Sequence, residues 1–176
     1  MENEEKHRIA DCRIAVKGAL EFIGCITTEL KQSGFEYIHI ISPCDGESMP
    51  SNVDVIVENV NEGSSCLSED TTKPLILLFD FVNGAGAIVV LSGDDLELLS
   101  KPKLREWVAN YMVGYCEFWN RDGCDWLRDS LPDVEKGFTS VAATKTASHL
   151  SARLAANIAV GREVKHFPRF YLCRNL

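Results

Sequence analysis

Short apolar segments, separated by glycines and polar residues, recur along the first half of the chain. Aliphatic and β-branched residues dominate these segments, and such runs are typical of strands. The segment "KPLILLFDF" is apolar almost throughout, as expected for a parallel strand that is buried on both faces. We therefore predict strands over residues 13–17, 37–42, 53–60, 73–81 and 86–93, with "RFYLC" near the C terminus as a last strand.

A second pattern, in which apolar residues recur at helical spacing, predicts helices between and after these strands. One helix over residues 20–33 ends at Gly34, and a long helix rich in small residues, over 139–161, ends at Gly161. Between them, residues 102–119 form a helix with many large aromatic side chains, and "NRDGCDWLRDSLPD" forms a turn and a short helix. The glycine-rich "VNGAG" is expected to join the fourth and fifth strands as a loop.

The order of these elements indicates a fold class. Strands alternate with helices early in the chain, and this alternation is typical of a parallel sheet. The sequence predicts an α/β fold: a Rossmann-like, mostly parallel open sheet with helices on both faces and a C-terminal helix plus edge strand. With 176 residues, the chain has the length of one domain, and we expect residues 1–176 to form it.

Charge and hydropathy exclude some classes of partner. The formal net charge of −8 argues against nucleic acids and anionic membranes, since basic surfaces bind both. The N-terminal "MENEEKHR" is acidic and lacks the apolar core of a signal peptide, and no apolar run is long enough to span a bilayer. We expect a cytoplasmic protein with no nucleic-acid partner and no membrane partner.

Seven cysteines are many for a cytoplasmic protein of this size. They include no C-x-x-C pair, which argues against a structural zinc site, and their odd number and scatter argue against a disulfide framework. Most are expected to be buried as small apolar side chains. Cys124, in the turn "NRDGCDW", is either an exposed nucleophile or a buried thiol.

The stretch "IAVKGALEFIGC" contains the first candidate site. A strand that enters a glycine and then a helix directs backbone N–H groups and the positive end of the helix dipole at the space beyond the strand. Glycine lets the backbone approach a ligand, so Gly18 and Gly24 are candidate nucleotide-binding residues. The bulky "ALEFI" and the charge of Glu21 leave an ordinary strand-to-helix turn as the alternative. The absence of a full G-x-G-x-x-G fingerprint disfavours a Rossmann-type oxidoreductase.

Polar residues at the ends of other predicted strands are further candidates, because open α/β sheets bind ligands outside the carboxyl ends of their strands. Ser42 ends the second strand, where many nucleotide-binding folds place an acidic residue on the ribose, and Asp45 follows it. Asp45 is alternatively a turn-forming aspartate in "PCDG". Asp80 and Asn83 flank the end of the fourth strand and either bind a ligand or stabilise the loop.

Four segments, in this order along the chain, resemble one known family. They are "RIADCRIAVKGALEFIGCITTELKQSGFEYIHIIS", "VDVIVENVNE", "KPLILLFDFVNGAGAIVVLSGDD" and "GFTSVAATKTASHLSARLAANIAVGREVKHFPRFYLCRNL". From about Arg13 to Leu176, the chain resembles the ThiF/MoeB superfamily, the ATP-dependent adenylyltransferases related to ubiquitin-activating enzymes. It lacks that family's third glycine in the first turn, its helix with a phosphate-binding arginine and lysine, and its C-x-x-C zinc pairs. The chain is similar to a shortened, divergent member.

The resemblance implies an activity and a ThiF-like nucleotide-binding domain over residues 1–176. Such an enzyme joins a carboxylate to the α-phosphate of ATP and releases pyrophosphate with the help of Mg²⁺. The catalytic residues beside the triphosphate would be Glu58, Asn61 and Asp80, with Asn61 where the family has an aspartate. The residues in contact with the nucleotide would be Gly18, Gly24, Ser42, Asp45 and Asn83.

The resemblance also implies partners. Members of the superfamily typically form homodimers, and the aromatic helix over residues 107–119 has more large apolar side chains than one face can bury. The chain is similar in size and cysteine content to the zinc-free members that act in [Fe]-hydrogenase cofactor biosynthesis, which implies guanylylpyridinol as the small-molecule carboxylate substrate. A thiol-bearing acceptor protein could then take the acyl group. The alternative is a non-catalytic protein of the same fold that binds a nucleotide or a partner.

Overall fold

A computed structural model describes residues 2–41, 51–60, 72–94 and 97–176. The helices within these ranges are α1 Asn3–Asp11, α2 Leu20–Gln32, α3 Leu104–Phe118, α4 Asp125–Glu135 and α5 Val141–Ala159. The strands are β1 Arg13–Lys17, β2 Tyr37–Ile41, β3 Val55–Asn59, β4 Leu75–Asp80, β5 Gly84–Val90 and β6 Tyr171–Arg174. A short 3-10 turn lies at Glu97–Leu99. None of these described helices has both the length and the apolar character needed to cross a lipid bilayer.

The described strands form one sheet in the order β2-β1-β3-β4-β5-β6. β1 lies between β2 and β3 and is parallel to both, and β3 is parallel to β4. β4 turns back into β5 as an antiparallel hairpin, and β6 is antiparallel to β5. The prediction of an α/β fold with a mostly parallel sheet is confirmed.

Apolar side chains cover both faces of the sheet. On one face, strands β1, β3, β4 and β5 pack against α2 and α5 through residues such as Ile26 and Leu154. On the other face, β4 and β5 pack against α3 and α4 through residues such as Leu77, Ile88 and Met112. β4 and β5 are therefore buried on both sides, which accounts for their nearly continuous apolar sequence.

The helices α2 and α5 end at the glycines that the sequence indicated. Gly34 has a φ of +103° and donates to the carbonyl oxygen of Lys31. The amide of Phe35 donates to the carbonyl oxygen of Leu30, which completes a Schellman motif. Gly161 follows α5 with a φ of +79°. Glycine adopts this left-handed conformation without the steric cost that a side chain adds, so these two positions determine where the helices stop.

The hairpin between β4 and β5 differs from the prediction. The predicted glycine loop is wrong, because β5 begins at Gly84 and the turn consists of residues 81–83. A Cβ on Gly84 would overlap β6 and lie 2.5 Å from the ring of Trp126, and one on Gly86 would lie 2.6 Å from the ring of Phe81. These glycines are strand residues that allow the neighbouring strand and rings to pack closely.

The residues before β1 form a helix, α1, that the apolar pattern does not predict. Its one buried residue is Ile9, so it has little apolar periodicity. Arg8 pairs with Glu4 at 2.9 Å and donates to the carbonyl oxygen of Val160 at 3.2 Å. Because Val160 follows α5 directly, this contact attaches α1 to the C-terminal end of that helix.

Candidate functional site

The carboxyl ends of β1 and β3 lie where the chain connections diverge. β1 continues through α2 to β2 on one side, whereas β3 and β4 lie on its other side. Open α/β sheets bind ligands in the crevice at such a point. Lys17 and Glu58 are register neighbours where the two strands end. We call this place, formed by Lys17, Gly18, Glu58 and Asn59, the β1–β3 crevice.

Gly18 begins the turn from β1 into α2, as predicted, and the chain around it is tightly packed. A Cβ on Gly18 would lie 2.9 Å from the Cβ of Asn59 and 3.0 Å from the ring of Phe22. The helix follows at once, and its N-cap residue is Ala19, whose side chain has no atom that could cap it. Free amides at the start of a helix, together with the helix dipole, stabilise an anion.

Gly24 lies in the second turn of α2 and not in the turn before the helix. It is exposed, and apart from its chain neighbours and the backbone of its own helix no described atom lies within 4 Å of the place where its Cβ would be. The first turn of the helix instead carries Leu20, whose side chain is 86% exposed, and the exposed Glu21. Of the two predicted glycines, Gly18 is therefore the one at the crevice.

The acidic residue of β3 is buried. Glu58 is 4% exposed, and its side chain lies on the opposite face of the strand from that of Asn59. Asn59 is the residue that approaches Gly18. Three further predicted site residues lie outside the described residues: Ser42, Asp45 and Asn61.

The N-cap residue of helix α5 is Ser140, and the carboxylate of Asp80, at the end of β4, holds this residue in place. Its Oδ1 accepts a hydrogen bond from the amide of Val82 at 2.8 Å. Its Oδ2 accepts from the amide of Ser140 at 3.1 Å and from Oγ1 of Thr144 at 3.5 Å. Oγ of Ser140 accepts from the amide of Ala143 at 3.0 Å and donates to the carbonyl oxygen of Val82. We call Asp80, Val82, Ser140 and Thr144 the Asp80 cap, in which a negative charge lies at a helix N terminus.

Burial raises the pKa of Asp80 above its usual value, because loss of solvent around the charged form outweighs the opposing effects. Those effects are the hydrogen bonds from Val82, Ser140 and Thr144 and the charge of Arg105. Mg²⁺ prefers oxygen ligands and keeps several waters, so a buried carboxylate with both oxygens engaged fits it poorly. Within the part of the chain that the structure describes, no group of three or more His, Cys, Asp or Glu side chains could hold a metal ion.

A buried arginine of α3 lies behind the cap. Arg105 is 2% exposed, and its Nε donates to the carbonyl oxygen of Asp80. Its Nη1 donates to the carbonyl oxygen of Val134 at 3.3 Å, and its Nη2 donates to that of Phe138. Arg105 therefore joins the end of β4, the last turn of α4 and the segment before α5. The sequence patterns do not assign it to the site, although a charge within the apolar stripe of a helix is a signal that identifies it.

Asn83 also binds its structural neighbours. Its Nδ2 donates to Oγ of Ser130 at 2.9 Å, and its carbonyl oxygen accepts from the amide of Asn175 at 2.9 Å. The side chain of Asn175 donates to the carbonyl oxygen of Val82 at 3.0 Å and accepts from Thr146 at 2.8 Å. These contacts correspond to the loop-stabilising alternative for Asn83, and they attach β6 to the β4–β5 turn. Ser140 has no signal in the strand-end pattern, because it precedes a helix, whereas Asn175 directly follows β6 and the pattern could have included it.

Of the seven cysteines, Cys44 and Cys66 lie outside the described residues. Cys12 and Cys116 are buried as expected, whereas Cys25, Cys124 and Cys173 are only half-buried. Cys116 and Cys124 form a disulfide between the end of α3 and the start of α4, with their Cα atoms 6.5 Å apart. Cys124 has no free thiol in this form, so it cannot act as a nucleophile. Burial raises the pKa of Cys12 to about 11, which suits the predicted structural role, and Cys25 and Cys173 are half-buried free thiols.

Comparison with known proteins does not assign this site. No protein-family model matches the chain, and no curated protein matches it. The resemblance to the ThiF/MoeB superfamily therefore stays a prediction, and the function is argued from the residues themselves.

Proposed function

We propose that the chain binds ATP at the β1–β3 crevice and uses it to activate the carboxylate of a small molecule as an acyl-adenylate. The observation that carries this proposal is the tight Gly18 turn, which leads into the first turn of α2 at the point where the strand connections diverge. Helix amides and the helix dipole would stabilise a triphosphate there. We interpret the fold as Rossmann-like, and the succession of the β4–β5 hairpin, α5 and β6 is the order of segments that the superfamily resemblance requires.

In this reaction a carboxylate oxygen attacks the α-phosphorus of ATP, the bond from that phosphorus to the bridging oxygen breaks, and pyrophosphate leaves. The protein contributes position and charge stabilisation. Lys17 ends β1, and its register neighbour Glu58 is the penultimate residue of β3, so we assign the polar contacts at the crevice to these two residues. Asp80 positions the start of α5 through the Asp80 cap. Mg²⁺ would arrive bound to the triphosphate, and we assign it no ligand among the described residues.

The narrower resemblance favours guanylylpyridinol as the carboxylate substrate. A separate thiol-bearing protein would then accept the acyl group, because Cys124 is held in a disulfide. We also propose a homodimer, since Phe118 and Trp119 at the end of α3 are 76% and 61% exposed. Sedimentation velocity at micromolar concentration tests this part, and a monomer would contradict it.

A non-catalytic protein that binds a nucleotide or a partner is the second candidate. Two observations favour it. The oxygens of Asp80 are already used by the cap, and the first turn of α2 exposes Leu20 and the acidic Glu21 where a triphosphate would lie.

Calorimetry with ATP, followed by mass spectrometry of a mixture with ATP, Mg²⁺ and guanylylpyridinol, separates these candidates. ATP binding with release of pyrophosphate and an adenylylated product supports the enzyme. ATP binding without product, for guanylylpyridinol and for other carboxylates, supports the non-catalytic protein. If ATP does not bind, the crevice is not a nucleotide site.

A matched pair of variants tests where ATP binds. Leu20→Glu adds a negative charge at an exposed position of the first turn, and Leu20→Gln adds a neutral side chain of the same size. A like charge near a triphosphate costs about 1 kcal/mol or more even in water, so Leu20→Glu should bind ATP at least about fivefold more weakly than Leu20→Gln. Equal affinities would show that the triphosphate lies elsewhere.

A further inference from the structure

The charges of this acidic chain are unevenly distributed. Residues 136–176 contain seven lysines and arginines and one acidic residue, Glu163, although the whole chain has a net charge of −8. Helix α5 lies in this region and contains no aspartate or glutamate. A positive region on an acidic protein concentrates anions locally.

This region lines a groove between α5 and β6. The groove has a volume of about 470 Å³, which is in the range of small-molecule sites. Its walls combine apolar and cationic side chains. The apolar ones are Ala142, Leu150 and Leu176, and the cationic ones are Lys145, Arg153 and Arg174, with His149 beside them. We call it the α5–β6 groove.

The cations of the groove are available to a ligand. In the described part of the chain, no carboxylate forms a salt bridge with Lys145, Arg153 or Arg174. Glu29, the one acidic residue in the lining, lies 3.6 Å from Nδ1 of His149. Lysine and arginine also pack their aliphatic stems against apolar surface while their charged ends stay in water. The groove therefore combines an apolar lining with a cationic rim.

We propose that the α5–β6 groove binds an organic anion, a molecule with a carboxylate, phosphate or sulfonate group on an apolar ring. Inorganic phosphate would use the cations alone, whereas a ring also gains about 25 cal/mol per Å² of its own apolar area that is buried against the apolar part of the lining, where Ala142 is exposed. Lys145 and Arg174 come from different elements, α5 and β6, and flank the anionic group. This site goes beyond the proposed function, because it requires no nucleotide and is tested without ATP.

The alkylation rate of Cys173 reports whether the groove is occupied, because Cys173 is a free, half-buried thiol in the lining. Cys25, a free, half-buried thiol of α2, is a control within the same molecule. The probe is 8-anilinonaphthalene-1-sulfonate, and its neutral counterpart is N-phenyl-1-naphthylamine. Alkylation of each cysteine by iodoacetamide is followed by peptide mass spectrometry. The sulfonate should slow alkylation of Cys173 and leave Cys25 unchanged, whereas the neutral compound should protect Cys173 far less.

Two lysine variants test the contribution of charge. Lys145→Gln removes a groove cation, and Lys136→Gln removes an exposed lysine at the end of α4, which packs on the other face of the sheet. The first should raise the sulfonate concentration needed for half-protection of Cys173 by about twofold to fivefold, and the second should not change it.

Competition of 1-naphthoate and 1-naphthyl phosphate with the sulfonate then compares a carboxylate with a phosphate on the same ring. The compound that displaces the sulfonate at the lower concentration has the preferred anionic group. The proposal is overturned if the sulfonate does not protect Cys173, if the neutral compound protects equally, or if the two lysine variants behave alike. It is also overturned if neither competitor displaces the sulfonate.

Discussion

The two glycines of the β1–α2 unit should respond to the same substitution in opposite directions. Gly18→Ala places a Cβ 2.9 Å from the Cβ of Asn59 and 3.0 Å from the ring of Phe22. Neither neighbour can move freely, because Phe22 is 2% exposed in the core and Asn59 ends a central strand. Overpacking of this kind costs about 1–3 kcal/mol of the free energy of unfolding.

Gly24→Ala adds the same methyl group to the exposed side of α2, where no described atom beyond its chain neighbours and its own helix backbone lies within 4 Å. The substitution raises helix propensity and restricts the unfolded chain, so it should stabilise the protein by about 0.5–1 kcal/mol. The two alanine variants should therefore differ by about 1.5–4 kcal/mol in their free energies of unfolding.

Urea unfolding followed by tryptophan fluorescence measures both free energies by linear extrapolation. ATP titrations on the same samples add the functional reading. Gly24→Ala should keep the wild-type affinity, whereas an assignment of Gly24 to the nucleotide predicts that its substitution weakens binding. The reasoning fails if Gly24→Ala destabilises the fold, or if Gly18→Ala unfolds at the same urea concentration as the wild type.

Three further predictions concern the network around the end of β4. Arg105→Met should lower the free energy of unfolding by about 3 kcal/mol, because three carbonyl oxygens lose a buried charged donor; a loss below about 1 kcal/mol in urea would refute this role. Ser140→Ala should cost about 1 kcal/mol by removing the cap of α5, and Ser140→Thr, which keeps the hydroxyl, should cost less. The raised pKa of Asp80 means that the folded state binds this proton more tightly than the unfolded state. Its contribution to stability should therefore fall as pH rises from the usual aspartate range through the raised pKa. Unfolding measured against pH should lose this component in Asp80→Asn, and an identical profile would contradict the assignment.

The elements that were predicted correctly are those whose sequence signals lie within or next to the element. β1 and α2 follow from short apolar patterns and a glycine stop, and each of these signals lies within the element itself or next to it. Gly84 could not be placed in the same way, since a glycine indicates a loop unless a close neighbour requires it. That neighbour is Trp126, which lies far along the chain and approaches only after folding.

In the candidate site, too, residues with local sequence signals could be predicted and residues that depend on distant partners could not. The turn at Gly18 could be predicted because strand, glycine and helix are consecutive in the sequence. The role of Asp80 could not, because its partners Ser140 and Thr144 reach it from α5. From the sequence, a carboxylate at a strand end is equally consistent with a metal ligand and with a helix cap. The choice requires knowing which helix packs against the strand end.

The position of β4 and β5 between the two apolar clusters determines how the molecule opens. Both strands contribute side chains to the apolar cluster under α2 and α5 and to the apolar cluster under α3 and α4. Detachment of either pair of helices would therefore expose apolar side chains of these same two strands to solvent. Amide protons of β4 and β5 should then exchange with solvent only when the whole chain unfolds, whereas the largely exposed strand β2 should exchange through local opening. A destabilising substitution in one layer, such as Arg105→Met in α3, should therefore accelerate amide exchange in the strands under α2 and α5 by as much as it does under α3.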